Sequence, residues 1–179
     1  MKKFTLSCLF FFAVLFSVHA QEYYTGIGLR WGKFNSGVTM KHFFNADNAT
    51  GAQLDIYRTY IHSRGYTAKI FFIKQGSFRV PILQIPLDYI YGFGLHGAYF
   101  PYVDQTPRFG YYYRSGGVAH PYDRSVITIG LDATLQVEYQ IPMHDLPITI
   151  SVDVNPWFEF YHRGPEYVDF GLNVRYVFK

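Results

Sequence analysis

Apolar and polar residues alternate along most of this chain. The clearest run is Val126 to Ile141. Ile127, Ile129, Leu131, Ala133, Leu135, Val137 and Tyr139 share one parity, while Thr128, Asp132, Thr134, Gln136, Glu138 and Gln140 share the other. A period of two is the repeat of a β-strand with one apolar and one polar face. Val168 to Lys179 repeats the pattern. Phe170, Leu172, Val174, Tyr176 and Phe178 alternate with Asp169, Gly171, Asn173 and Arg175, and the strand ends on an aromatic one residue from the C-terminus.

The same rule predicts six more strands: Tyr23–Lys33, Val38–Phe44, Gln53–Ile61, Tyr66–Ile73, Leu87–Phe100 and Ile148–Phe160. Asn35-Ser36-Gly37 has turn chemistry, as do Asn45–Gly51 and His62–Gly65. Lys74–Pro86 reads as a connection, because Pro81 and Pro86 cannot donate to a ladder. Pro101–Ser125 is the longest loop, and Pro142–Pro147 and His162–Glu166 are short ones. Pro156, inside the seventh strand, predicts a bulge or a bend. Eight strands joined by sequential turns imply an all-β, eight-stranded antiparallel up-and-down barrel.

The ends of the chain decide which face of such a barrel is greasy. Residues 1–20 carry Lys2 and Lys3, then an apolar stretch from Leu6 to Val18, then Val18-His19-Ala20. That is the layout of a signal peptide cut after Ala20. The expected domains are therefore a leader over 1–20 and a barrel over 21–179. Cys8, the single cysteine, falls in the leader, so disulfides and thiolate-held metals are not expected. Aromatics make up 21% of the chain, more than a small soluble core hides easily but suited to a lipid-facing wall with interfacial girdles. Without Lys2 and Lys3 the charges nearly balance, and nothing points to nucleic acid. No apolar run after residue 20 approaches the ~20 residues of a membrane helix. A membrane location then requires strands, and the barrel is expected to be transmembrane. The main alternative in fold is a soluble lipocalin-like barrel, with apolar residues inside and polar ones outside.

With the apolar parity outward, Arg30, Lys41, Asp55, Lys69, Asp88, Asp132, Glu138, Asp153, Glu159, Asp169 and Arg175 point into the lumen. Eight strands enclose only enough space for side chains. These charges should pair with one another as a packed plug, since isolated buried charge is costly. A narrow path for small solutes is the alternative. The long loop is rich in Tyr and Arg: Tyr102, Arg108, Tyr111, Tyr112, Tyr113, Arg114, Tyr122 and Arg124. Tyr supplies contact area at low entropic cost and Arg supplies directed donors, so this is the candidate surface for a ligand or for lipopolysaccharide. His42, His62, His96, His120, His144 and His162 are candidate bases, and Ser63, Ser115 and Ser125 candidate nucleophiles. None has the spacing of a catalytic or metal motif, so catalytic residues, cofactors and metals are not expected. An enzyme that modifies outer-leaflet lipid is the catalytic alternative.

Several stretches resemble the small outer-membrane β-barrel proteins common in Bacteroidetes. They are TGIGLRWG (Thr25–Gly32), GVTMKHFF (Gly37–Phe44), YIYGFGLHGAYF (Tyr89–Phe100), ITIGLDATLQVEYQI (Ile127–Ile141), LPITISVDVNPWFEF (Leu146–Phe160) and the terminal LNVRYVF. The resemblance covers nearly all of the chain beyond the leader except Lys74–Pro86 and the long loop. It implies an outer-membrane barrel of a Gram-negative bacterium with periplasmic termini. The expected partners are outer-membrane lipid and lipopolysaccharide, with the barrel-assembly machinery engaging the C-terminal strand. The resemblance implies no activity, because fold does not carry function.

Overall fold

The structure is a computed structural model and describes residues 24–45, 49–59, 65–80, 85–101, 112–115, 118–121, 125–141, 147–160 and 168–178. The alternating segments form strands β1 (Thr25–Gly32), β2 (Asn35–Asn45), β3 (Thr50–Thr59), β4 (Gly65–Arg79) and β5 (Pro86–Phe100). A small hairpin follows, β6 (Tyr112–Ser115) and β7 (Val118–Pro121). The chain then returns through β8 (Val126–Gln140), β9 (Ile148–Glu159) and β10 (Val168–Phe178). The eight long strands close into a barrel in which every neighbour is antiparallel. Closure comes from β1 against β10, with Ile27 opposite Tyr176 and Gly32 opposite Gly171. The β6–β7 hairpin lies outside this sheet and connects β5 to β8.

The parity of each strand decides its faces. In β8 every second residue from Val126 to Glu138 is buried or nearly so, and those between are exposed. Ile127 is 68% exposed, whereas Glu138 is 0% exposed. Leu29, Ile70, Phe93, Leu135, Val152 and Leu172 likewise stand outward, and the charged parity faces in. An apolar-inside, polar-outside arrangement of the barrel is thereby overturned.

Four local expectations are corrected. The first turn is at Lys33 and Phe34, not Asn35–Gly37; Asn35 and Ser36 already pair with Thr59 and Arg58. Lys74–Arg79 is not a connection but the continuation of β4, paired residue by residue with Pro86–Tyr91. The long loop contains the β6–β7 hairpin. Pro156 causes no bulge. Asp132 pairs with Trp157 and Leu135 with Val154 in one unbroken register, and only Ala133 and Thr134 drop out of the ladder opposite Pro156 and Asn155. Among the described pairings the register shift lies elsewhere, between Phe43 and Asn45 on β2.

The interior is layered along the axis. At the end that holds the chain termini, Phe43, Phe71, Ile73, Ile90 and Val177 pack into an apolar cluster. A lumen that is polar throughout is therefore not what the chain builds. Phe71 and Ile73 share the inward parity of Lys69, so β4 is apolar on both faces over its middle. The polar layers lie between this cluster and the end that carries the long loop.

Candidate functional site: the ion-paired lumen

Three buried groups of charge occupy the polar layers. The first is centred on Arg30, from β1. Its Nε and Nη2 donate to the two oxygens of Asp153 at 2.9 and 2.6 Å. Its Nη1 donates to Asp169 at 2.8 Å and to the Asn35 carbonyl at 2.7 Å. The Tyr57 ring lies 5.1 Å from the guanidinium. One cation here faces two carboxylates, so neutral donors supply the balance. Asn155 and Asn173 donate to Asp153 at 2.7 and 2.6 Å, and the Phe34 amide donates to Asp169 at 3.0 Å. Charge-assisted bonds of this kind satisfy a buried carboxylate that a single cation leaves half-filled.

The second group joins β2, β8 and β10. Lys41 donates to both oxygens of Glu138 at 2.8 and 2.6 Å, and Arg175 reaches the same carboxylate at 3.2 Å. Arg175 also donates to Ser151 at 2.8 Å and to Gln136 at 3.3 Å. Gln136 passes the network to Gln53 at 2.9 Å, and Gln53 donates to Asp55 at 2.9 and 3.1 Å. Two cations and two carboxylates thus balance through a chain of amides that crosses the bore.

The third group lies nearer the long-loop end. Lys69 and His96 bond the two oxygens of Asp132 at 2.5 and 2.6 Å. His96 Nε2 stands 3.9 Å from Glu159, and the Lys69 ammonium lies 5.1 Å from the Trp157 ring centre. Beside them is a cavity of about 20 Å³ lined by Asn35, Thr67, Lys69, His96, Trp157 and Glu159. That volume is room for about one water.

Of the expected lumen charges, all but Asp88 are buried. Asp88 is half-buried near the termini end of β5 and accepts a hydrogen bond from Ser77. The sequence reading passed over Tyr57, Asn35, Asn155, Asn173, Gln53, Gln136 and His96 as members of the network. Their inward parity was legible for all but Asn35, which reads in the sequence as part of a turn. Their role was not, because an amide is useful here only through the carboxylate it meets across the bore. Of the loop residues, Tyr102, Arg108, Tyr111, Tyr122 and Arg124 lie outside the described residues. Tyr112, Tyr113 and Arg114 run along β6, opposite Pro121, His120 and Ala119 of β7. Among the described residues no group of three or more His, Cys, Asp or Glu is arranged to hold a metal ion.

No family model matches the chain, and no curated protein sequence matches it. Among solved structures the chain is similar to the N-terminal β-barrel domain of Pseudomonas aeruginosa OprF. The TM-score is 0.55 at 10% identity, over 89% of this chain and 100% of that one. At that identity the likeness is one of fold: a closed, all-antiparallel, eight-stranded barrel. It supports the resemblance to small outer-membrane barrels at that level and leaves the Bacteroidetes family without a matching model or curated relative.

Proposed function

We propose that this chain is an integral outer-membrane barrel whose lumen is a plug, and whose role is structural or one of surface binding through residues 101–125. One observation carries the membrane reading: large apolar side chains stand outward on all eight barrel strands while the ionic groups are buried inside. In water such a wall would expose far more continuous apolar surface than a soluble monomer tolerates. In lipid it is the expected arrangement. On β8 the outward apolar parity runs from Ile127 to Tyr139. At ~3.4 Å per residue and a tilt of ~40° it makes a band roughly 30 Å tall, enough for the ~25 Å apolar belt of such barrels. Trp31, Tyr66 and Tyr99 flank it towards the long loop, and Tyr176 and Phe178 towards the termini, as interfacial girdles do. The fold likeness to an outer-membrane barrel domain agrees with this.

The plug reading is supported by the bidentate pairs that span the bore, the apolar cluster that closes its termini end, and the small interior cavity. With periplasmic termini, the long loop lies outside the cell, where its Tyr and Arg residues are placed for lipopolysaccharide or another surface ligand. Lipid and the assembly machinery are the partners this reading requires, and no enzymatic step is part of it.

Purified full-length protein reconstituted in liposomes tests both halves. The expected results are a heat-modifiable, urea-resistant membrane-inserted form and no flux of ions or small sugars above the lipid background. Extraction by urea would end the membrane reading, and flux would end the plug. Deleting Arg108–Val118 should abolish binding to lipopolysaccharide-coated surfaces; unchanged binding would remove the loop from the proposal.

A further inference from the structure

The outer wall is dented along β9. Val152 and Val154 stand on its outward parity, and Val154 lies between Leu135 on one side and Phe170 on the other. Leu172, opposite Val152, continues the second bank, and Trp31 stands beside it on β1. Valine is shorter than any of these neighbours, so β9 forms the bottom of a groove between taller banks. The groove is open to the surface and holds about 430 Å³. Asp153 and Gly171, a register pair at its base, belong to the inward parity, so only their backbone reaches the floor. No charged side chain borders the groove from outside.

The groove has a closed end and an open one. Towards the termini the next outward row holds Tyr139 and Ile150, which are larger than the valines. Towards the long loop the next row holds Pro156 opposite Val168, with Ala133 alongside, and all three are short. Lys33, in the turn after β1, stands at the open end. Its amide donates to the Phe170 carbonyl at 3.0 Å. Its side chain is exposed, with the ammonium 4.8 Å from the Phe34 ring centre. Among the described residues no carboxylate pairs with it.

We infer that this groove retains an acyl chain of a phosphorylated outer-leaflet lipid, lipopolysaccharide, with Lys33 placed for the phosphate. The inference rests on the membrane reading and on periplasmic termini, which put the open end among outer-leaflet headgroups. Lipid tails are as apolar as the wall, so fit and charge do the selecting inside a bilayer. A chain in the groove touches protein at its floor and both banks, whereas a chain on the bare wall touches it on one side. Dispersion grows with the number of close atom pairs, so the groove holds a chain more firmly. A lysine at the interface adds attraction for an anionic headgroup. A second copy fits worse. A barrel wall is convex, and another laid against this face rests on Leu135 and Phe170 without reaching the valines.

The test uses tryptophan quenching by lipids with brominated chains. Trp31 and Trp157 are the two tryptophans, so full-length Trp157→Phe protein leaves Trp31, on the groove's bank, as the reporter. The protein is reconstituted in phosphatidylcholine vesicles, and brominated phosphatidate is titrated in, with brominated phosphatidylcholine as the reference. Phosphatidate should reach half-maximal quenching at a mole fraction about fivefold lower, the scale of one lysine facing an anionic lipid. Unbrominated lipid A should restore the fluorescence, and its dephosphorylated form should not. Val152→Phe, which fills the groove, and Lys33→Gln should each remove the preference for phosphatidate. Ile70→Phe, an outward change on β4, should leave it intact. Equal quenching by the two brominated lipids, no restoration by lipid A, or a preference that survives both Val152→Phe and Lys33→Gln would each overturn the proposal. So would quenching that is relieved by raising protein density at fixed lipid composition, since the face would then belong to a second copy. Absence of quenching by either lipid, or extraction by urea, would fail the membrane reading itself, whereas equal quenching by both leaves that reading standing and removes the groove.

Discussion

The guanidinium of Arg30 lies across Gly171: a Cβ on that glycine would stand 2.6 Å from Arg30 Cζ. The two residues sit on adjacent strands, and Gly32, opposite Gly171, closes the other side, where a Cβ would come 2.3 Å from Arg30 Nη1. A pair of glycines is thus the space in which this buried guanidinium lies flat while it holds Asp153 and Asp169.

Replacing Gly171 by alanine should therefore push Arg30 off its carboxylates. We expect Gly171→Ala to destabilise the barrel by about 3 kcal/mol, the order of a broken buried ion pair. Gly97→Ala is the control, because a Cβ there meets nothing within 4 Å, and its effect should be near zero. Urea unfolding midpoints in lipid vesicles would compare the two, and equal losses would count against this account of Arg30.

Glu138 is the anion shared by Lys41 and Arg175. Glu138→Leu leaves two buried cations without it and should cost about 3–5 kcal/mol. Adding Lys41→Met should recover a large part of that loss, since one orphaned charge is then gone. A double-mutant cycle on unfolding free energies measures the coupling, and additive effects would mean that the pair is not the unit described.

The outer wall makes a prediction of opposite sign to that for a soluble barrel. Leu135→Arg, at mid-height of β8, should destabilise the reconstituted protein by about 2–4 kcal/mol, as a charge at the bilayer midplane does. On a water-facing wall the same change would be neutral or helpful. Folding yield into vesicles of matched thickness is the measurement.

Pro156 sits in a position whose nitrogen faces β8, because the Phe160 amide, four residues on, donates to the Ile129 carbonyl on that strand at 2.9 Å. Ala133, its neighbour in register, thus lacks a ladder donor. Pro156→Ala restores one and should stabilise the barrel by about 1 kcal/mol, the net worth of a backbone hydrogen bond. The backbone amide that this substitution creates should itself exchange slowly, and rapid exchange there would show that the ladder had not closed.

Strand identity and parity were legible in the sequence because they are local. Ile127 to Tyr139 alternates whatever lies beside it, and a period of two admits one backbone conformation. The count of eight barrel strands followed, with the polar parity inward once the aromatic excess and the leader-like start were weighed. The extension of β4 to Arg79 was hidden by Pro81 and Pro86, which made Lys74–Pro86 read as a connection. A proline reads as a ladder breaker until one knows that its nitrogen points away from the strand it pairs with, here β4. Pro156 misled in the opposite way, since its cost fell on two residues of β8 without shifting the register.

Only the closed sheet decided which charges meet. Arg30 and Asp153 are 123 residues apart in the chain, and Lys41 and Glu138 are 97 apart. Their contact depends on register around the whole circumference and on which glycines leave room. The apolar cluster of Phe43, Phe71, Ile73, Ile90 and Val177 draws on four strands in the same way. Alternation chooses a face for each side chain, and the face says nothing of its height along the bore; that height is set by partner strands, and it separates the apolar cluster from the ion-paired layers.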